Sequence, residues 1–339
     1  MNLSSVDVKL MISNKCNLKC KYCYVSSVQL FEMSNFKLLE ILNFIKNDVE
    51  FKNKHINFDL CGGEPLLFFE KLLFIIFKIK SIFKNYTISL TTNGLLLDEY
   101  KINLLKKLNV FIAISLDGSK FMNDEMRVDF NNNSVFSKVI NSINLCNKLK
   151  KDYVISCTLS DHNLNYPKKL VAFFKRLKIK KLYFNYIIPL NNLYNIDFLD
   201  MYTSNLVKVY NLLIENNIFE YTLYNFKKNF ISKNCFYCTA CGNRFVFNFK
   251  GEIYSCHVGV DNSFFKIGDI YSGFNENLEL FKNRSVNNFE SCKNCDLNYI
   301  CRGGCLYASF VQNGNLNPSS YYCLFFKKLF EYFKCDLDG

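Results

Sequence analysis

The chain has 339 residues, half of them apolar, so it can bury a large core and is long enough for two domains. Its formal charge of +12 comes from lysines scattered among Asn, Ile, Phe and Tyr, which favours a solvated lysine surface over an acidic-peptide or nucleic-acid partner. The most apolar segment, Leu66 to Ile79, contains three charged residues and is shorter than the roughly 20 residues of a membrane span. Since the N-terminus also lacks a signal-peptide pattern, we expect a cytoplasmic protein with neither a membrane nor a nucleic-acid partner.

Most of the 16 cysteines of the chain fall into two groups with short spacings. Disulfide scaffolds are usually short secreted chains that cannot build a core, whereas this chain can. Cys-x2-Cys spacings in a cytosolic chain indicate metal binding, to iron-sulfur clusters or to zinc. The cysteine pattern therefore predicts metal cofactors, with iron-sulfur clusters favoured over zinc.

Short apolar runs alternate with amphipathic segments from Val6 to about Ile188. Helices are predicted, for example, at Phe36 to Glu50 and Ser134 to Lys150, with apolar residues at three- and four-residue spacing. This alternation predicts an α/β fold with a parallel sheet, and six units suit a partial (β/α)6 TIM-like barrel. A further helix, from about Asp197 to Asn217, closes the barrel region. The predicted strands are Val6 to Ile12, Ile56 to Leu60, Tyr86 to Thr91, Val110 to Ser115, Tyr153 to Thr158 and Lys181 to Ile187.

A cysteine triplet follows the first predicted strand. Cys16, Cys20 and Cys23, spaced Cys-x3-Cys-x2-Cys, suit three irons of a 4Fe-4S cluster and leave the fourth iron without a protein ligand. The second strand ends in Cys61-Gly62-Gly63-Glu64-Pro65. Both motifs would lie at the C-terminal ends of neighbouring strands, which is the catalytic face of α/β barrels.

The next two strands also end in polar residues, at Thr91-Thr92-Asn93-Gly94 and at Ser115-Leu116-Asp117-Gly118. Asn-Gly and Asp-Gly are favoured turn pairs, so a turn without a ligand is one interpretation. Their repeated position on one rim favours contact with a ligand.

A second series of cysteines begins after Lys233. Eight thiolates are enough for two complete 4Fe-4S clusters. Gly251 predicts a hairpin turn that presents Cys256 at a strand end, and Gly303-Gly304 predicts close approach of the backbone to a cluster. The series consists of Cys235, Cys241, Cys256, Cys292, Cys295, Cys301, Cys305 and Cys323.

The triplet, with Tyr22 before its third cysteine, and the Gly-Gly-Glu-Pro run resemble the radical S-adenosylmethionine (SAM) enzymes. The resemblance implies that the open iron binds SAM and that an electron from the cluster cleaves SAM to a 5'-deoxyadenosyl radical. It also implies SAM-binding residues. Gly62, Gly63 and Glu64 would hold the amino group, Ser115 and Arg127 the ribose and methionyl part, and Tyr22 and Ile188 would lie at the adenine, with Asn93 on the same rim.

The later cysteines resemble the SPASM domain, with spacings closest to the anaerobic sulfatase-maturating enzymes. The resemblance implies a radical SAM partial barrel over residues 1–220 and a SPASM domain with two auxiliary 4Fe-4S clusters over 221–339. It implies one ligand set of Cys235, Cys241, Cys256 and Cys305, and a second of Cys292, Cys295, Cys301 and Cys323. Spacing alone leaves this pairing open. Cys238 is either a further ligand or a free thiol, and a structural role is expected for Cys61, Cys146, Cys157 and Cys335.

His257 stands where the sulfatase-maturating enzymes have a proton-accepting aspartate. A neutral imidazole can accept a proton, although a role in filling space beside a cluster is an equal alternative. We therefore predict an enzyme that oxidises or crosslinks a side chain of a peptide or protein, with a low-potential flavodoxin or ferredoxin as electron donor. The alternatives are a sulfatase maturase that forms formylglycine from Cys or Ser, and a non-catalytic iron-sulfur redox sensor or nucleic-acid-binding protein.

Overall fold

A computed structural model describes residues 5–25, 30–186, 196–222, 224–225 and 238–334 of the chain. The strands are β1 Ser5–Ser13, β2 His55–Gly62, β3 Tyr86–Thr92, β4 Phe111–Ser115, β5 Tyr153–Leu159, β6 Lys181–Tyr186, β7 Phe219–Glu220, β8 Arg244–Phe247, β9 Glu252–Tyr254, β10 Lys266–Asp269 and β11 Gly273–Phe274. The helices are α1 Asn35–Asn47, α2 Phe69–Ile82, α3 Glu99–Lys107, α4 Lys120–Met126, α5 Phe136–Lys148, α6 Asp161–Leu164, α7 Pro167–Arg176, α8 Ile196–Glu215, α9 Glu276–Lys282, α10 Glu290–Lys293, α11 Asn298–Cys301, α12 Leu306–Asn313 and α13 Ser320–Lys334.

The six predicted strands are confirmed as β1 to β6, and the α/β fold class is confirmed with them. Strand β1 forms because its apolar residues alternate with polar ones, so that Val8 and Leu10 are buried on one face while Asp7 and Lys9 lie on the other. Ile187, the last residue of the sixth predicted strand, lies outside the described residues.

The predicted helices are confirmed as α1, α5 and α8. Helix α1 begins where the Ser34 side chain accepts a hydrogen bond from the backbone N–H of Lys37, and it buries its apolar face through residues such as Leu38 and Leu42. In the part of the chain that the structure describes, no helix is long and apolar enough to cross a membrane.

The first of two compact units comprises Met1–Ser115, Arg127–Tyr153 and Thr239–Asn283. Its strands follow the order β11-β10-β9-β8-β1-β2-β3-β4. Strands β8, β1, β2, β3 and β4 are parallel, whereas β8 to β11 form antiparallel pairs. The predicted hairpin at Gly251 is confirmed as the turn between β8 and β9, where Gly251 has φ of +85°.

The second unit comprises Leu116–Met126, Val154–Cys238 and Arg284–Gly339. It contains the parallel pairs β5–β6 and β6–β7, and helix α8 packs against α7 and α13. The compact units interleave along the chain. The predicted division at residue 220 into a radical SAM domain and a SPASM domain concerns function, so the compact units do not test it and it stays a prediction.

Candidate active site

The cluster loop, residues 14–24, follows the C-terminal end of β1. The backbone N–H of Cys23 donates to the carbonyl of Cys20 at 3.1 Å, and that of Leu18 donates to Cys16 Sγ at 3.4 Å. The loop is also bonded to the rest of the unit, because the Lys19 N–H donates to the Val128 carbonyl at 3.0 Å. Three thiols thus lie on one short loop, with Cys16 and Cys20 half-buried and Cys23 exposed.

The chemistry of this loop fits an iron-sulfur cluster. Burial raises the pKa of the Cys16 thiol to about 11, and the negative charges of Glu64, Cys20 and Cys23 contribute to the shift. A thiolate at Cys16 is therefore disfavoured unless a cation offsets its charge, and iron supplies such a cation.

A single metal ion requires a different arrangement of ligands from a 4Fe-4S cluster. Among the described residues, no three His, Cys, Asp or Glu side chains converge where one metal ion would bind. A 4Fe-4S cluster does not require such convergence, since each thiolate binds a different iron.

The Gly-Gly-Glu-Pro run packs its backbone directly against the cluster loop. The N–H of Gly63 donates to the Ser13 carbonyl at 2.7 Å, and the N–H of Glu64 donates to the Lys15 carbonyl at 2.8 Å. A Cβ on Gly63 would lie 2.0 Å from the Lys15 oxygen, and one on Gly62 would lie 2.1 Å from the Ser13 oxygen. Only glycine permits this approach, so the motif positions the loop that carries the three thiols.

Glu64 is buried and connects the ends of two strands. Its Oε1 accepts from the Leu66 N–H at 3.0 Å and from Thr92 Oγ1 at 2.7 Å, while its Oε2 accepts from the Asn93 N–H at 2.7 Å. Burial raises the pKa of this carboxyl, although its three donors and the nearby Arg127 oppose the shift. A carboxylate offers about four acceptor positions, so one position remains for an ammonium group.

Asn93 connects the end of β3 to the cluster loop. Its Nδ2 donates to Asn17 Oδ1 at 2.7 Å and lies 4.0 Å from Cys16 Sγ. The sequence motif ending β3 therefore reaches the first cysteine of the triplet. Thr92 of the same motif contributes through its bond to Glu64.

Arg127 and Tyr22 form a second connection to the loop. Arg127 is buried, donates to the Tyr22 hydroxyl and lies 5.8 Å from the centre of the Tyr22 ring. Ser115, the last residue of β4, is also buried in this unit. Ile188 lies outside the described residues, so its predicted contact with adenine stays a prediction.

A polar face of the sheet lies on the side opposite Val8 and Leu10, and it carries Lys9 of β1 and Asp59 of β2. The two form an ion pair, and Asp59 also accepts from Ser89 at 3.3 Å and Thr91 at 3.4 Å. Sequence reasoning missed this pair, although parallel register places Lys9 directly beside Asp59. The period-two alternation was the available signal, but it does not specify which residues of separate strands are neighbours.

Cys61 belongs to the same strand as Asp59 and is buried. Burial raises the pKa of its thiol to about 12, with a smaller contribution from the Asp59 charge. This thiol is therefore protonated at physiological pH, in agreement with the structural role expected for it.

His257 follows Cys256 shortly after β9. Its ring lies edge-on to Tyr24, with ring centres 5.1 Å apart, and within the described residues its buried Nδ1 has no hydrogen-bond partner. Burial lowers the pKa of His257 well below its ordinary value, and the positive charges of Lys9 and Arg244 add to this effect. A substrate atom that reached this nitrogen would satisfy its hydrogen bond.

The later cysteines are divided between the compact units. Cys241 and Cys256 are buried in the first unit, Cys305 lies in the second, and Cys235 lies outside the described residues. Burial raises the pKa of Cys305, and the charge of Cys238 adds to the shift, so these two thiols are neighbours. The roles of Cys235, Cys241, Cys256 and Cys305 as ligands of one cluster stay predictions, and Cys238 stays either a further ligand or a free thiol.

Four cysteines of the second unit lie together. Cys301 and Cys323 share a hydrogen bond, which raises the pKa of Cys301 and lowers that of Cys323 to about 7. Burial raises the pKa of Cys292, and the charges of Cys323 and Cys295 act in the same direction. These four make up the second predicted ligand set, and their binding of one cluster stays a prediction.

Arg284 organises the glycine turn that precedes Cys305. This buried guanidinium donates to the carbonyls of Gly303 at 2.7 Å and Gly304 at 3.2 Å, and to Ser309 Oγ at 2.9 Å. Both glycines have positive φ, of +75° and +67°, which explains why the turn uses a glycine pair. Sequence reasoning missed Arg284, because no local pattern connects it to a turn about twenty residues later.

The fold and the motif geometry define the class of protein. Residues 10–174 match the family model of the radical SAM superfamily. These residues form a radical SAM domain, and the chain is an enzyme of this class, whose cofactors are a 4Fe-4S cluster and SAM.

Particular relatives are similar over nearly the whole chain. The cysteine-type anaerobic sulfatase-maturating enzyme of Clostridium novyi (strain NT) is 26% identical, with 94% of this chain and 92% of that protein covered. The serine-type enzyme of Bacteroides thetaiotaomicron is 25% identical, with 94% and 86% covered. The structure of native anSMEcpe with bound AdoMet and Kp18Cys peptide is similar with a TM-score of 0.83 and 26% identity, and 98% of each chain is covered.

Proposed function

We propose that this radical SAM enzyme oxidises or crosslinks a side chain of a peptide or protein. The observation that carries the proposal is geometric: the Gly-Gly-Glu-Pro backbone is bonded to Ser13 and Lys15 at the cluster loop, and in the same compact unit the buried Nδ1 of His257 has no partner among the described residues. A base beside the SAM-binding residues suits a reaction that removes both a hydrogen atom and a proton from the substrate. The similarity to sulfatase-maturating enzymes, one of them with a bound peptide, supports a peptide or protein as the substrate.

The residues of the first unit would hold the cofactors. Cys16, Cys20 and Cys23 would bind three irons of one 4Fe-4S cluster, and the remaining acceptor position of Glu64 would receive the amino group of SAM. Arg127 would hold the anionic part of SAM. When bound, SAM and its cluster supply a radical that removes a hydrogen atom from the substrate, and two auxiliary 4Fe-4S clusters supply an electron exit.

His257 would accept the substrate proton through Nδ1. Burial and, to a smaller extent, the positive charges of Lys9 and Arg244 lower the pKa of this imidazole. The Tyr24 ring packs against one edge of the imidazole and restricts its orientation. A low-potential flavodoxin or ferredoxin would deliver the electron that starts each cycle, and we expect the cytoplasm to be its location.

Sulfatase maturation, with formylglycine as the product, is the second candidate. The TM-score of 0.83 to a peptide-bound enzyme of that kind favours it. His257 in place of the aspartate argues for a different product, since an imidazole and a carboxylate differ in charge before and after they accept a proton.

The test uses enzyme reconstituted without oxygen, with SAM and two sets of peptides. One set is a synthetic Cys-x-Pro-x-Arg peptide and its Ser counterpart, and the other is deuterated short peptides encoded beside the gene. Transfer of deuterium from a peptide to 5'-deoxyadenosine would support peptide modification. SAM cleavage with no deuterium transfer from any peptide would contradict it, and the absence of an aldehyde from the Cys and Ser peptides would remove sulfatase maturation.

A matched pair of variants assigns the base. We expect His257→Ala to transfer deuterium as wild type does but to form at least about tenfold less product, because only the proton acceptor is missing. The control is His162→Ala, an exposed histidine of the second unit, which should leave both rates unchanged. Equal product yields from both variants would show that His257 is not the base.

A further inference from the structure

The chain returns to the end of β1 after the cluster loop, at Phe31. The Phe31 N–H donates to Asn14 Oδ1 at 2.6 Å, and the Asn14 N–H donates to the Phe31 carbonyl at 3.3 Å. The Ser13 hydroxyl donates to the same carbonyl. Hydrogen bonds between residues 14 and 31 therefore join the two ends of the segment that carries the cysteine triplet.

The Phe31 ring also contacts the hairpin of β8 and β9. It is stacked on the ring of Phe249, with ring centres 3.8 Å apart and ring planes 13° apart, and both side chains are half-buried. Phe249 lies in the turn of the hairpin, beyond Leu10 and Phe247, where the pairing of β1 with β8 ends. The stack therefore connects the turn to the base of the cluster loop where the sheet no longer does so.

The hairpin is bonded internally, so its turn and its second strand are held together. Buried Asn248 accepts at Oδ1 from the N–H groups of Lys250 and Glu252, both at 3.0 Å, and its Nδ2 donates to Glu252 Oε2 at 2.8 Å. Directly after β9, the Ser255 N–H donates to the Phe265 carbonyl at 3.0 Å. A displacement of the turn is therefore transmitted along β9 rather than absorbed in the turn.

A second aromatic contact joins the same two segments at His257. Its ring lies edge-on to Tyr24 of the cluster loop, with ring centres 5.1 Å apart. One contact of this kind would allow the hairpin to pivot against the loop, whereas two contacts at separate places restrict the pivot. Both contacts lie within the first compact unit.

We propose that Phe31 and Phe249 are positioning residues, which hold His257 at a fixed place relative to the cluster loop. The inference rests on the proposed function, since it concerns the base of the same site. Radical formation and proton removal must act on one side chain of the substrate, so the two groups must keep their separation. A misplacement of about 1 Å can cost about 100-fold in rate, even when the altered residue lies far from the reacting atoms.

A variant without the Phe249 ring tests the stack, with a rescue variant and a matched control. Phe249→Ala removes the ring and leaves the bonds between Asn14 and Phe31 in place. Phe249→Tyr keeps a ring that can stack, and it serves as the rescue. Phe77→Ala removes an exposed ring from α2 of the same unit, and it serves as the control.

Turnover is measured on the reconstituted enzyme with reduced methyl viologen as electron source and the deuterated peptides encoded beside the gene. In Phe249→Ala we expect product formation to fall at least about tenfold, while deuterium transfer to 5'-deoxyadenosine stays within about twofold of wild type. The reason is that the cluster loop keeps its place while the base moves. Phe249→Tyr and Phe77→Ala should stay within about twofold of wild type in both measurements.

The same substitution in the His257→Ala background separates positioning from general support of the fold. A residue that acts through His257 has nothing to position once the imidazole is gone, so Phe249→Ala should then change product formation by less than about twofold. A contribution to the fold alone would lower product formation by the same factor in both backgrounds.

Hydrogen exchange of the holoenzyme, followed by mass spectrometry, tests the stack without turnover. In Phe249→Ala we expect the amides of Glu252 and Ser255 to exchange at least about tenfold faster than in wild type, and in Phe77→Ala we expect no change. If wild type modifies no peptide, the proposed function fails, while exchange still tests whether the stack holds the hairpin. If Phe249→Ala loses iron, Phe249→Leu, which keeps an apolar side chain without a ring, replaces it.

Three results would overturn the positioning role. One is an equal loss of deuterium transfer and product in Phe249→Ala, and another is a further loss of product when Phe249→Ala is added to His257→Ala. The third is unchanged exchange of the hairpin amides in Phe249→Ala, which would show that other contacts hold the hairpin.

Discussion

The two groups of cysteines in this chain are held in different ways. The cluster loop is bonded to strand ends by the backbone of Gly63 and Glu64 and by the side chains of Asn93 and Arg127. The group at Cys292, in the second unit, lies on and between helices α10, α11 and α13, and its thiols are close to one another. The first group is therefore positioned by the sheet, whereas we expect the second to depend on its metal for order.

Loss of the Glu64 carboxylate should have the largest effect. In Glu64→Gln an amide NH2 replaces one carboxylate oxygen, so that a hydrogen-bond donor faces another donor. This breaks a buried network of charge-assisted hydrogen bonds. We expect SAM affinity to fall at least about 100-fold and the free energy of unfolding to fall by about 2–4 kcal/mol. Equilibrium dialysis with labelled SAM and chemical denaturation measure the two effects.

The control is Glu70→Gln, an exposed residue of α2. It should leave SAM binding unchanged. Unaltered SAM affinity in Glu64→Gln would mean that the carboxylate only holds the two strand ends together.

A methyl group on Gly63 should move the cluster loop. The added Cβ would meet the Lys15 carbonyl at 2.0 Å, and a backbone oxygen cannot give way as a flexible side chain can. We expect Gly63→Ala to lose about four irons per chain, the content of one cluster, and to retain the auxiliary irons. Gly273→Ala, which has open space around its Cβ, is the control and should keep its iron.

Arg284 offers the corresponding experiment in the second unit. A lysine at this position keeps the positive charge. Its ammonium group lacks the planar guanidinium that donates to the carbonyls of Gly303 and Gly304 and to the Ser309 hydroxyl. We expect Arg284→Lys to reduce auxiliary iron while viologen-driven SAM cleavage is retained, and to destabilise the protein by about 1–3 kcal/mol. Arg176→Lys, an exposed residue of α7, serves as the control. An auxiliary iron content equal to that of wild type in Arg284→Lys would show that the turn does not depend on the hydrogen bonds of Arg284.

The ion pair of the polar face should have the smallest effect. Burial alone would lower the pKa of Lys9, but Asp59 raises it above the ordinary value of 10.5. A raised pKa in the folded state means stability that is present at lower pH and is lost as the pH rises through that pKa. Above pH 10.5 we expect the free energy of unfolding to fall further in wild type than in Lys9→Met, by about 1 kcal/mol. Chemical denaturation at a series of pH values measures this difference. Parallel curves for the two proteins would contradict a contribution from the pair.

Much of the fold and part of the site follow from local sequence patterns. The six strands are visible because apolar runs alternate with amphipathic helices, and Gly251 marks its hairpin because a positive φ favours glycine there. The cysteine triplet and the Gly-Gly-Glu-Pro run are visible because their spacing is short.

Contacts between distant segments could not be predicted in this way. The Lys9–Asp59 pair depends on strand register, and the hydrogen bonds from Arg284 to the glycine turn depend on how a loop folds back on an earlier residue. The interleaving of the compact units has the same origin, since it reflects which segments pack together rather than their order in the chain.

Iron content together with SAM cleavage tests the central claim most directly. The enzyme is reconstituted without oxygen, and wild type is compared with Cys16→Ala/Cys20→Ala/Cys23→Ala and with the buried control Cys146→Ala. We predict about twelve irons per chain in wild type, a loss of about four in the triple variant together with all 5'-deoxyadenosine formation, and no loss in the control. About four irons and no SAM cleavage in wild type would contradict three clusters and radical chemistry.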